Sequence, residues 1–121
     1  MTLKLVRQND QMTIASHAFV ADQFFTRLKG LIGKKSFPEG EGMLFPKCNN
    51  VHMWMMSIPI DVVFLKKQNS ESWSVISLKP KLKSWKVLPV ACFNADDTLE
   101  LPAGTIDRLN LKTGEVLCIA S

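Results

Sequence analysis

Two strand-like segments joined by a short polar turn constrain the fold of this chain most. DVVFLKK at 61–67 is a run of β-branched and apolar residues, SWSVISLK at 72–79 alternates in polarity, and QNSE separates the two segments. Alternation with a period of two is typical of strands, because successive side chains point to opposite faces of a sheet. The pattern therefore predicts an antiparallel hairpin.

Further strand-like segments occur along the chain, and turn-forming residues separate many of them. They are LKLVR at 3–7, MTIAS at 12–16, MLF at 43–45, residues 86–93, TLEL at 98–101 and EVLCIA at 115–120. The sequence has no repeated strand–helix–strand unit, which disfavours a doubly wound parallel sheet. We expect a mainly β protein, a compact antiparallel β-sandwich or barrel of about eight short strands with one or two short helices.

Helical periodicity is confined to two short segments. The first starts at Asp22, a residue type that caps helix N-termini, and stops at Gly30, which suits a left-handed C-cap. Arg27 lies on or beside the apolar face of this predicted helix. The second segment, AGTIDRLN at 103–110, follows a proline and predicts a short helical turn.

Length and composition indicate one globular domain covering residues 1–121. The chain has 46% hydrophobic and 21% charged residues and a formal net charge of +4. This composition argues against disorder, and the modest charge does not by itself indicate a nucleic-acid partner. No apolar run reaches the length of a signal peptide core or a membrane span, so we expect a cytoplasmic protein.

The most chemically suggestive stretch is CNNVHMWMMSIPID at 48–61. Its methionines and tryptophan are explained by a strand covered on both faces, because methionine fills irregular gaps in cores. Two other interpretations remain: Cys48 and His52 as ligands of a soft metal, or as a thiolate with its base. Extended residues four apart lie about 13 Å apart, so either interpretation requires a turn at Asn49–Asn50. We expect neither a metal nor another cofactor.

Asp61 ends this stretch and precedes a run of apolar residues, where an unpaired carboxylate is costly. Arg27 is the candidate partner, either in a structural clamp or in a binding site. The remaining cysteines, Cys92 and Cys118, are far apart in sequence and are expected to be reduced thiols.

Basic residues concentrate in KPKLKSWK at 79–86. Lys79, Lys81 and Lys83 recur with a period of two, which predicts one face of an extended segment. Such lysines protect an edge strand from pairing with other chains. The alternative is a phosphate-binding stripe with Trp85 as a stacking platform.

Two long motifs resemble the DUF192 family of small bacterial and archaeal domains, in its Cys-x-x-Val-His branch. They are RLKGLIGKKSFPEGEGMLFPKCNNVHMWMMSIPIDVVFL and TLELPAGTIDRLNLKTGEVL. Residues that match the family motifs include Arg27, Cys48, His52, Asp61 and Glu100. The resemblance implies a compact, mostly antiparallel β fold with one short helix, and it implies no activity.

Three functional hypotheses follow. The first is a non-catalytic module that binds a small molecule or a protein through a polar patch of Arg27, His52, Asp61 and Glu100. The second is an enzyme in which His52 is a general base, assisted by Asp61 or Arg27. The third is a weak nucleic-acid binder, or an accessory domain in an envelope assembly, that uses Lys79 to Lys86. The sequence defines neither the partner nor the oligomeric state.

Overall fold

The computed structural model describes residues 2–21, 37–51, 58–83 and 90–120. Over these residues the chain forms nine strands and one short helix. They are β1 Thr2–Arg7, β2 Thr13–Val20, β3 Glu41–Phe45, β4 Asn50–Val51, β5 Ile60–Asn69, β6 Ser72–Leu82, β7 Val90–Ala91, β8 Asp97–Pro102, α1 Thr105–Leu109 and β9 Val116–Ile119. The prediction of a mainly β fold with short strands is confirmed.

Seven strands form a closed barrel in the order β1-β2-β3-β8-β5-β6-β9, and β4 pairs with β7 in a separate ribbon. The predicted hairpin is present, because β5 and β6 pair in antiparallel register. One barrel pair, β2–β3, runs parallel, which the expectation of an antiparallel fold did not include. Parallel neighbours need a crossover of a dozen or more residues, and residues 21–40 supply one.

The interior of the barrel holds the larger hydrophobic cluster. All seven barrel strands contribute to it, and Val63, Leu99 and Leu117 are fully buried members. Ile106 and Leu109 of α1 join the same cluster, so the predicted helical turn packs onto the barrel core. The other predicted helix, from Asp22 to Gly30, lies outside the described residues.

A second cluster covers the outer face of β5. Ile60, Val62 and Phe64 are fully buried there, and half-buried residues such as Met43 and Cys92 pack against them. Residues 60–65 of β5 are therefore covered on both faces, as their continuous apolar sequence from Val62 onwards indicates, and residues 66–69 are exposed. The described part of the predicted strand at 86–93 contains β7, and residues 84–89 lie outside the described ranges.

Two buried polar residues fasten loops to the barrel. Arg7 donates to the carbonyl of Leu109 (2.8 Å) at the end of α1 and forms an ion pair with Glu115. Asp97 accepts from the Trp73 Nε1–H at 2.6 Å and from the Lys47 N–H at 2.9 Å. Both Asp97 oxygens are therefore satisfied inside the protein.

Replacing Asp97 with Ala is expected to lower the free energy of unfolding by about 2–4 kcal/mol, since two donors would lose their acceptor. Urea denaturation measures this change. The control is Asp96→Asn, because the Asp96 side chain is 42% exposed in its ion pair with Lys66 and the Asn oxygen can still accept from the Lys67 N–H. That variant should differ from wild type by less than about 1 kcal/mol. Equal stability of the two variants would contradict the role assigned to Asp97.

Candidate functional site

The described residues include part of the site predicted from the sequence. Asp61, Glu100 and Cys48 are described, whereas Arg27 and His52 lie outside the described residues. Whether Arg27 and His52 approach the other candidates therefore stays a prediction.

The side chain of Asp61 binds backbone groups of two other segments of the chain. Its side chain is fully buried, and its two oxygens accept hydrogen bonds from the backbone N–H groups of Lys81 and Ile106, each at 2.8 Å. Lys81 has a positive φ of 53° at an irregularity in the β5–β6 register. Ile106 lies in the first turn of α1. Asp61 thus fixes a bulge and a helix start at the same end of the barrel.

Asp61 and Glu100 lie on opposite faces of the sheet. In the β5–β8 register, Asp61 pairs with Leu101 and Val62 pairs with Glu100. Paired residues share a face and neighbouring residues alternate, so Asp61 points with Leu101 into the barrel and Glu100 points outward. The two carboxyl groups therefore do not form one polar patch. The reason is the register of β5 against β8, which the sequence does not specify.

Glu100 belongs to a row of paired residues that crosses the outer face of five adjacent strands, in the order β2, β3, β8, β5 and β6. Phe19 of β2 pairs with Met43 of β3, which pairs with Glu100 of β8. Glu100 in turn pairs with Val62 of β5, and Val62 pairs with Lys79 of β6. Exposure falls along the row from Phe19, which is 43% exposed, to Glu100 at 7% and Val62 at 0%.

The carboxyl group of Glu100 is buried without a partner. It forms no hydrogen bond or ion pair with any residue in the ranges that the structure describes. Because every fully enclosed side-chain nitrogen or oxygen in those ranges has a hydrogen-bond partner, the Glu100 oxygens must retain a small contact with solvent. Desolvation by burial raises the pKa of Glu100 from 4.5 to about 8. Glu100 is therefore protonated over most of the neutral range.

Glu100 differs from the other buried polar residues nearby, because their side chains have hydrogen-bond partners. The Thr98 hydroxyl, two residues away on the same face, donates to the carbonyl of Cys48 at 2.6 Å. Asp61 and Asp97 each use both oxygens. Buried polar groups of folded proteins are nearly always satisfied, so a buried carboxyl group that lacks a partner requires an explanation.

Cys48 lies apart from Glu100, in an open groove at the far end of β5. The groove has a volume of about 770 Å³ and is lined by residues 46–49, 67–69 and 95–97. The backbone N–H of Cys48 donates to the carbonyl of Asp96 at 3.0 Å, which connects Cys48 to the turn before β8. No group of three His, Cys, Asp or Glu side chains with metal-binding geometry occurs among the described residues. The Cys48–His52 pair stays a prediction, because His52 lies outside the described residues.

The lysine-rich segment does not form a regular stripe. Lys79 pairs with Val62 on the outer face, but the next register position pairs Ile60 with Leu82, so β6 carries an extra residue in between. Lys81 lies in this bulge and forms an exposed ion pair with Asp107 of α1 (3.4 Å). The predicted common face of the lysines is therefore wrong, because the bulge breaks the period of two. Residues 84–86, including Trp85, lie outside the described ranges.

Sequence reasoning did not identify Phe19 and Met43 as neighbours of Glu100. The alternation of TLEL does separate Glu100 from Leu99 and Leu101, which indicates that Glu100 points away from the barrel interior. The link to Phe19 depends on the parallel β2–β3 pair, for which the sequence has no local signal.

The sequence of the chain matches the model of a known protein family. The DUF192 family model, described as "Uncharacterized ACR", matches residues 5–119. The chain belongs to the DUF192 family. This confirms the resemblance seen in the sequence motifs. A comparison with curated proteins found no match.

Two solved structures resemble this DUF192 protein closely in fold. One is from Sinorhizobium meliloti 1021 and carries the name "putative transcription regulator"; its TM-score is 0.81 at 20% identity, over 97% of this chain and 91% of the other. The second is a protein of unknown function from Novosphingobium aromaticivorans DSM 12444, with a TM-score of 0.77 at 19% identity, over 97% of this chain and 83% of the other. At this level of identity the likeness shows the fold alone. No helix in the described part of the chain is long and apolar enough to span a membrane.

Replacing Asp61 with Ala is expected to destabilise the protein by roughly 3–5 kcal/mol, because the buried Ile106 N–H and the part-buried Lys81 N–H would both lose their acceptor. Asp61→Asn keeps one good acceptor and should fall between this variant and wild type. Chemical denaturation gives the values. Asp107→Asn, at the exposed ion pair with Lys81, is the matched control and should cost less than about 1 kcal/mol. An Asp61→Ala protein as stable as wild type would contradict the structural role.

The pKa of Glu100 also predicts how stability depends on pH. Between its ordinary value of 4.5 and its folded value of about 8, the folded state holds a proton that the unfolded state has released. The folded state binds more protons, so the free energy of unfolding should fall as pH rises through this window. The expected slope from this group is at most about 1.4 kcal/mol per pH unit.

The Glu100→Gln variant provides the matched comparison, because a Gln side chain neither gains nor releases a proton in this pH range. The stability advantage of the Gln variant over wild type should be small near pH 4.5, grow as pH rises, and level off above pH 8. Urea denaturation of both proteins across this range measures the difference. Parallel stability curves would show that Glu100 is not buried as the structure places it.

Proposed function

We propose that this DUF192 protein is a non-catalytic binding module and that Glu100 lies at the centre of its binding site. The observation that carries the proposal is the buried carboxyl group without a partner, which retains only a small contact with solvent. Such a group opposes folding unless it is neutral or paired. Titratable residues with strongly perturbed pKa values cluster at functional sites.

The fold does not require an acid at this position. Met43 and Val62 flank Glu100 on the neighbouring strands, and both are apolar. An apolar residue at position 100 would extend the second hydrophobic cluster without burying a charge. Replacement of buried charged groups by apolar residues is often neutral or stabilising. A carboxyl group here is therefore best explained by an interaction with a ligand.

Arg27 and His52 are proposed to contribute to binding because they match the family motifs that also contain Glu100. Asp61 is not included in the site, since its hydrogen bonds hold Lys81 and Ile106 and its side chain points into the barrel. The enzyme alternative loses support for the same reason. Asp61 is buried on the inner side of the sheet, where its carboxylate holds backbone N–H groups and is not exposed to a substrate.

The nucleic-acid alternative has less support than the Glu100 site. The name of the Sinorhizobium meliloti protein raises the idea of transcription regulation, but the likeness is one of fold. The described lysines do not form a continuous basic face, because Lys81 pairs with Asp107 and Lys79 lies beside Val62. A cytoplasmic location also remains a prediction from the sequence.

Binding that depends on Glu100 is the expected outcome of a ligand screen by NMR. Small molecules would be added to ¹⁵N-labelled protein, and hits should shift amides of β3, β8 and β5. Glu100→Gln keeps the shape of the side chain but cannot ionise, so above pH 8 it should weaken the binding of cationic hits at least tenfold. Arg27→Ala and His52→Ala test the contributions of those residues in the same assay.

Asp107→Asn serves as the control, because it removes an exposed carboxylate away from Glu100. The proposal would be wrong if hits bind equally to wild type and to Glu100→Gln, or if no molecule in a broad library perturbs these strands. Binding of DNA that is lost on replacing Lys79, Lys81 and Lys83 would instead support the nucleic-acid alternative.

A further inference from the structure

Glu100 ends an apolar strip that runs across three adjacent strands. Phe19 on β2, Met43 on β3 and Glu100 on β8 are consecutive partners in the sheet. Neighbouring strands lie about 4.8 Å apart, so the strip is about 10 Å long between the first and third strands. Phe19 is one of the large hydrophobic side chains that the barrel leaves exposed, at 43%. The strip thus leads from solvent to a buried carboxyl group.

We propose that the ligand of this protein is an amphipathic amine, whose ammonium group pairs with the Glu100 carboxylate and whose apolar body lies over Met43 and Phe19. This inference rests on the proposed binding function and specifies its ligand class. A carboxylate is an acceptor-only group, so it selects a cationic donor. The apolar neighbours Met43 and Val62 favour a hydrocarbon body.

The exposure gradient along the row determines the orientation of this ligand. Val62, on the far side of Glu100, is fully buried, so the strip ends there. The body of the ligand must therefore extend in the other direction, over Met43 towards Phe19. Burial of its methylene groups away from water then adds to the affinity.

Among the described residues, four other titratable groups lie near Glu100 on the elements packed against it. Glu41 is two residues from Met43 on the same face of β3, His17 pairs with Glu41, and Lys79 lies beyond Val62. Cys92 packs against the same hydrophobic cluster. His17 is exposed, so its replacement by Gln provides a control for effects that do not come from Glu100.

Isothermal titration calorimetry with hexylamine, 1-hexanol and hexanoate tests the head-group requirement, because the three probes carry tails of nearly equal length. At pH 9 Glu100 is ionised and the amine is still cationic. Hexylamine should then bind at least tenfold more tightly than the other two probes. Ethylamine should bind more weakly than hexylamine, because its body cannot reach Met43 and Phe19.

The pH dependence provides a signature that structural damage cannot produce. Only the ionised fraction of Glu100 is competent to bind, so the affinity for hexylamine should rise about tenfold per pH unit between pH 6 and 8 and then level off. His17→Gln should leave this profile unchanged. Glu100→Gln should abolish both the preference for the amine and its pH dependence.

Phe19→Ser tests the apolar strip separately from the carboxyl group. It should reduce the advantage of hexylamine over ethylamine by severalfold and leave the pH profile intact. Met12→Ala is the matched control, because Met12 is similarly exposed, at 47%, and lies outside the row. Equal losses in both variants would contradict a site over Phe19.

The outcomes also separate this inference from the proposed function. If hexylamine binds no better than 1-hexanol while other molecules bind in a manner that depends on Glu100, the ligand class is wrong and the binding site stands. If hexylamine binds Glu100→Gln as tightly as wild type, both the ligand class and the site are wrong.

Discussion

Burial of residues 60–65 of strand β5 on both faces is the constraint on which the rest of the structure depends. Val63 and Leu65 pack inside the barrel, and Val62 and Phe64 pack in the outer cluster. Polar side chains in the first part of β5, or beside it on β8, therefore lie in an apolar environment. Asp61 and Glu100 both experience this, one on each face of the β5–β8 pair.

The two carboxyl groups respond to burial in different ways. Asp61 accepts two backbone N–H groups, which compensates for its lost hydration. Glu100 has no such donors in the described chain, so burial raises its pKa to about 8. The first carboxylate holds a bulge and a helix together, and the second is available for an interaction with another molecule. Burial alone would not have distinguished the two roles.

Much of the fold could be predicted from the sequence, because local patterns determine it. The hairpin of β5 and β6, the short helical turn at α1 and the strand β8 all follow from alternation and turn residues. Register and bulges could not be predicted, since they depend on contacts between distant segments. The lysines of β6 were therefore wrongly expected to share one face, because the extra residue near Lys81 interrupts the alternation of the strand.

Prediction of the candidate site was limited by the same factors. Asp61 was identified correctly as a buried acid that needs a partner, but its partners are backbone N–H groups, which no side-chain motif reveals. Glu100 was found through its family motif. Its apolar neighbours Met43 and Phe19 became apparent only from strand pairing, because the parallel β2–β3 contact joins segments across a long crossover.

The most direct test of the central claim is an NMR titration of the side-chain carboxyl carbon of Glu100, assigned by comparison with the Glu100→Gln spectrum. A buried carboxyl group without a partner predicts a midpoint near pH 8, and binding of a cationic ligand should move this midpoint to lower pH. A midpoint near the ordinary value of 4.5 would contradict the account. It would show that Glu100 is hydrated or already paired, and that the outer face of the barrel holds no vacant carboxyl site.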